Sequence, residues 1–187
     1  MMARFTSRAV GRPRGNDFAV YDPVADSWRV LPPLPTQRNH IDAAAIGGKI
    51  YVVGGSFDAG FESERRERLE VFNPASNTCS TAAALPRPRG GVNAVAAKGC
   101  LYVFGGEGND EAPSGVFPDH EVYNPITDSW TRLAPMPVPV HRVTGAALPT
   151  ASFTCRARRF TRRQQWQHGS TGVPSCHGVP LVEDATE

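Results

Sequence analysis

At 187 residues, with 40% hydrophobic and 20% charged residues, the chain has the size and composition of one globular domain. A net charge of +2 gives no argument for nucleic acid as a partner, and no apolar run approaches the roughly 20 residues of a membrane helix. The four cysteines have no spacing that pairs them.

Residues 1–16 carry Arg4, Arg8, Arg12 and Arg14 with no acidic residue and no apolar segment of the kind a secretory signal needs. They read as a disordered basic N-terminus. With no signal or membrane segment to read, the compartment is open, and the cytoplasm is the default expectation.

Residues 17–37 supply two strands. Phe18-Ala19-Val20-Tyr21 and Ser27-Trp28-Arg29-Val30-Leu31 flank Asp22-Pro23, where the aspartate bonds forward and the proline presets φ for a turn. The prolines of Leu31-Pro32-Pro33-Leu34-Pro35 then stop the sheet.

Residues 38–88 form a complete unit. Arg38-Asn39-His40 precedes a small-residue strand, Ala43 to Ile46, and then Gly47-Gly48-Lys49-Ile50-Tyr51-Val52-Val53-Gly54-Gly55. The run Ile50 to Val53 is apolar on both alternating faces, as a strand covered on both sides must be. A 13-residue excursion, Ser56 to Arg68, leads to a third strand at Leu69-Glu70-Val71-Phe72 and a turn at Asn73-Pro74. Its mixed charges read as a solvated loop.

Residues 89–139 repeat this unit 51 positions on, without insertion or deletion. Arg38 returns as Arg89, Tyr51 as Tyr102, Gly54-Gly55 as Gly105-Gly106, Phe72 as Tyr123 and Cys79 as Trp130. Cys79 and Cys100 read as small core residues. The excursion here is Glu107 to Asp119.

Residues 140–149 begin another unit with His141-Arg142 and an apolar strand. Over residues 150–187 the pattern stops, and Arg156, Arg158, Arg159, Arg162 and Arg163 follow. This tail is expected to lack repeat structure, being disordered or translated out of frame. Cys155, His168, Cys176 and His177 lack the paired spacing of a zinc site. No cofactor is expected.

Arg38, the small-residue strand, Gly48-Lys49-Ile50-Tyr51, Gly54-Gly55 and Phe72-Asn73-Pro74, matched by Arg89, Tyr102, Gly105-Gly106, Tyr123-Asn124-Pro125 and Trp130, resemble the kelch repeat. A period near 50 suits one four-stranded propeller blade per repeat. The resemblance covers residues 17 to 149. It implies an all-β fold, a partial kelch-type propeller of four-stranded antiparallel blades, open rather than a closed ring. It also implies two full blades with a half-blade at each end, as in a fragment of a longer propeller.

The family further implies a protein-interaction or ligand-binding module rather than an enzyme, acting through inter-strand loops. The alternative is a fragment of a kelch-propeller enzyme, either a galactose oxidase-like oxidase or a sialic acid epimerase. In kelch propellers the link before each innermost strand lies near the mouth of the central channel. This makes Arg38, Asn39, His40, Arg89 and Arg142 the candidate binding residues, although Arg142 stands two positions beyond the register of the other arginines. The guanidinium groups of the arginines suit carboxylate or phosphate recognition, and structural bonding to loop carbonyls is the alternative role. The expected partner is a protein or peptide, with an acidic one favoured by this chemistry, and neither nucleic acid nor membrane is expected. Open blade edges add self-association as a second kind of contact.

Overall fold

The computed structural model describes residues 18–57, 64–65, 67–142, 144–147 and 153–156, the backbone alone at 64–65, 144–147 and 153–156. Every regular element among them is a strand. β1 (Ala19–Asp22) and β2 (Ser27–Val30) pair antiparallel as a half-blade. The expected turn joins them, with Asp22 Oδ1 accepting the N–H groups of Val24 (2.9 Å) and Ala25 (3.1 Å).

The first full blade begins with β3 (Asp42–Ile46) and β4 (Lys49–Val53). A small hairpin, β5 (Ser56–Phe57) and β6 (Glu64–Arg65), interrupts it before β7 (Leu69–Asn73) and β8 (Thr78–Ala82). The second full blade is β9 (Asn93–Ala97), β10 (Cys100–Phe104), β11 (His120–Asn124) and β12 (Ser129–Arg132). Both are antiparallel four-stranded meanders, ordered β3-β4-β7-β8 and β9-β10-β11-β12. Among the described residues the sheets form an open array. No helix there is long and apolar enough to cross a membrane.

β13 (Thr144–Ala147) lies against β9, and β14 (Phe153–Arg156) pairs with it. β14 falls in the tail where no repeat structure was expected. A strand such as β13 presents a row of backbone donors and acceptors, and a neighbouring segment satisfies them even without the Gly-Lys-Ile-Tyr pattern. The rest of 157–187, the candidate zinc ligands His168, Cys176 and His177 within it, and residues 1–17 lie outside the described residues.

The two-sided burial read from β4 and β10 is how the blades stack. Ile50 and Val52 pack with Phe72 against Phe18, Val20, Leu31 and Leu34 of the half-blade. Tyr51 and Val53, on the opposite face, meet Leu101, Val103 and Tyr123 of the second full blade. Cys100, Tyr102 and Phe104 form the far face of that blade with Val95 and Val122. Cys100 is disulfide-bonded, its partner lying outside the described side chains, whereas Cys79 is free.

The double glycines lie where blades meet at the starts of the innermost strands. A Cβ on Gly54 would sit 2.9 Å from the Arg89 carbonyl oxygen of the next blade, and one on Gly105 would overlap that of Val140. Only glycine lets these chains approach so closely.

Candidate functional site

The residues before β3, β9 and β13 run side by side. Gly91 N–H donates to the His40 carbonyl (2.8 Å), and Arg142 N–H donates to the Gly91 carbonyl (2.9 Å). His40, Gly91 and Arg142 are 51 residues apart, and all three have positive φ (54°, 59° and 49°). Arg142 is therefore the counterpart of His40. Val140 is the counterpart of Arg38 and Arg89, accepting from Gly106 N–H (3.0 Å) as the Arg89 carbonyl accepts from Gly55 N–H (3.0 Å). The apparent slip of two positions in Arg142 is a different role.

Arg38 and Arg89, expected at a binding surface, are buried. Arg38 pairs with Glu70 Oε2 (2.6 Å) and donates to the carbonyls of Gly54 (2.8 Å), Thr36 (3.1 Å) and Val52 (3.2 Å). Arg89 pairs with Glu121 and donates to the carbonyls of Gly105 (2.7 Å) and Arg87 (3.1 Å). Side chains of both pairs are fully screened from solvent, and each arginine holds a carbonyl of a double glycine from within the protein.

The other three candidates come together at the surface. Arg142, whose side chain is 53% exposed, donates to Glu107 Oε1 (3.0 Å) and to His40 Nε2 (2.6 Å). An arginine only donates, so Nε2 accepts and the His40 proton sits on Nδ1. That proton faces Ser56 Oγ (3.2 Å), which in turn donates to Asn39 Oδ1 (2.8 Å). His141 Nδ1 lies 3.0 Å from Glu107 Oε2. Burial, and then the Arg142 charge, hold the His40 imidazole below the usual histidine range, outweighing the pull of Glu107.

Gly91 makes this cluster possible. It stands between its counterparts His40 and Arg142, and a Cβ there would come within 3.2 Å of Arg142 Cγ. With hydrogen alone at that position, the guanidinium passes across to His40.

Two members, Ser56 and Glu107, were missed from the sequence. Each directly follows a double glycine, and they are 51 apart, so the period itself marks them as equivalent. In the sequence they open the loop excursions, with no strand pattern before the third strand to set them apart. Backbone bridges Asn39–Ser56 and Gly90–Glu107 instead bind them to the links before β3 and β9.

The cluster presents one carboxylate among three basic side chains. His40 does not sit between a hydroxyl and a carboxylate as a general base would, since Ser56 and Glu107 both face its Nδ1. Among the described residues no group of three His, Cys, Asp or Glu side chains is arranged to hold a metal ion.

A family model for the kelch motif matches twice, at residues 37–86 and 88–137. The chain is 31% identical to Kelch-like protein terF of Aspergillus terreus over 133 residues, covering 66% of this chain and 27% of that protein. It is 36% identical to an F-box/kelch-repeat protein of Arabidopsis thaliana over 114 residues, covering 61% and 29%. It is 28% identical to Kelch-like protein 15 of Danio rerio over 155 residues, covering 74% and 26%. The chain thus spans little more than a quarter of these relatives' lengths. With the two motif matches falling on the two four-stranded sheets, and buried arginines and double glycines repeating at the blade contacts, the chain belongs to the kelch-repeat family.

Proposed function

We infer that the chain is a protein-interaction module that takes an acidic side chain of its partner at Arg142, with His40 and His141 beside it and Asn39 acting through Ser56. The observation that carries this reading is the half-exposed Arg142 guanidinium, held by Glu107 and His40 at the start of the innermost strands. A guanidinium with its fork already oriented loses little freedom on accepting a carboxylate. Arg38 and Arg89 serve the site from beneath by fixing the backbone.

The test is selection of displayed peptides against the full chain. Acidic sequences should be enriched, and their binding should fall at least roughly tenfold in Arg142→Ala, as for loss of a charged hydrogen bond. Arg132→Ala, a change to another exposed arginine, should leave binding intact. Enriched peptides that bind Arg142→Ala as well as wild type would sink the reading.

No observation favours the oxidase or epimerase alternative. Tyr51, Tyr102 and Tyr123 are all buried in strands between blades. Self-association is favoured by one observation. β1 and β2 occupy the third and fourth positions of a blade, while β13 and β14 occupy the first and second, so two copies hold complementary halves.

A further inference from the structure

The second full blade carries a clamp on the blade before it. Tyr123 O–H donates to Asp128 Oδ1 (2.7 Å), and the same oxygen accepts the backbone N–H of Ala83 (2.8 Å). Trp130 Nε1–H donates to the Ala83 carbonyl (2.8 Å). Both backbone groups of one residue, where the chain leaves β8, are held by one hairpin of the next sheet.

The same three residue types stand 102 positions earlier as Tyr21, Asp26 and Trp28, and they are already in the same geometry. Tyr21 O–H donates to Asp26 Oδ1 (2.6 Å). The Tyr21 and Trp28 ring centroids are 5.1 Å apart at 45°, against 5.2 Å and 47° for Tyr123 and Trp130. Asp26 and Asp128 share a φ of 47°. Yet Asp26 is exposed, and Trp28 is 51% exposed where Trp130 is half-buried.

The middle repeat acts as an internal control. Its counterparts are Phe72, Asn77 and Cys79, and the residue they would grip is Pro32, which has no N–H to give. The clamp is complete where a backbone donor stands before it and lost where none does. A matching donor segment is also at the surface. Ala134 follows Ala83 by 51 residues and is exposed. The backbone keeps the same course at both, since Leu85 N–H donates to Glu67 and Met136 N–H to Pro118, their carbonyls being equivalent (2.7 and 2.8 Å).

We propose that Asp26 and Trp28 of one copy of this chain grip the backbone of Ala134 in a second copy. This deepens the self-association reading, on which it rests, by naming the residues that lock the contact. Ala134 leaves the blade that precedes β13–β14, so the contact sets β1–β2 of one copy beside β13–β14 of the other as a single four-stranded blade. The contact joins unlike surfaces and closes because the copies exchange it.

Sedimentation velocity on the 187-residue chain across a concentration series tests this, with circular dichroism confirming that each variant keeps the wild-type fold. Wild type should sediment as a dimer that dissociates on dilution. Asp26→Ala and Ala134→Pro should each raise the dissociation constant roughly ten- to hundredfold, as expected for loss of a hydrogen bond to a charged group. Ala134→Pro recreates the Leu31-Pro32-Pro33 run that the chain already folds with, so it removes the donor with little risk to the blade. Mixed in equal amounts, the two variants should form a heterodimer with one intact clamp, tighter than either variant alone. A monomer at every concentration overturns both this proposal and the self-association reading. A dimer insensitive to both substitutions overturns the clamp and leaves association standing.

Discussion

Removing the Arg89 guanidinium would leave the Glu121 carboxylate charged and fully buried in β11. Burying an uncompensated charge is far costlier than losing an exposed ion pair. Arg89→Met should therefore destabilise the chain by about 3–5 kcal/mol in chemical denaturation. Adding Glu121→Leu should recover at least about 2 kcal/mol, because the orphaned charge goes with it. Recovery should be incomplete, since the Gly105 carbonyl still lacks its donor. Arg142→Met, at an exposed ion pair, should change stability by less than about 1 kcal/mol. If Arg89→Met proved as mild as Arg142→Met, the buried pair would not be a structural tie. The contrast also separates the two roles that the sequence leaves open for these arginines, partner recognition and internal bonding. Arg38 and Arg89 recur in register with Glu70 and Glu121, also 51 apart, and that joint recurrence within one chain is the available signal for an internal pair.

At the scale of elements, the glycines separate two costs that a sequence pattern merges. Gly48 closes the β3–β4 hairpin at φ +75° with nothing within 4 Å of an added Cβ. Gly48→Ala should then cost only the left-handed backbone, about 1–2 kcal/mol. Gly55 has φ +113°, and its Cβ would press on the Asn39 carbonyl and on Ile41. Gly55→Ala should cost clearly more than Gly48→Ala in the same unfolding measurement, and equal costs would show that the link before β3 yields to a side chain at Gly55. The blades themselves were legible because a 51-residue period fixes strand, turn and glycine together. β14 was not, since backbone pairing along an edge asks little of side-chain identity. Neither was the cluster at Glu107, which depends on two links meeting across different blades.

Across the whole molecule, the His40–Arg142 contact joins links 102 residues apart, with Gly91 between them, and so ties the first full blade to β13. That tie needs His40 neutral, because Nε2 must accept from a permanent cation. The groups facing the imidazole are Glu107, Arg142, His141 and Ser56, and burial and Arg142 together keep its folded pKa below the ordinary 6.5. Between the ordinary value and the depressed one, the unfolded chain binds a proton at this histidine that the folded chain does not. Stability should hold above about pH 6.5 and decline as the pH falls through that window. In His40→Asn this part of the pH dependence should vanish, whereas exposed carboxylates such as Asp22 and Asp128, held below the usual range by backbone N–H bonds, act only at much lower pH. Denaturation midpoints of both proteins from pH 7.5 to 5.5 make the comparison. Parallel curves would mean that His40 takes up its proton without disturbing Arg142, and the tie across the innermost strands would then carry no weight in holding the blades together.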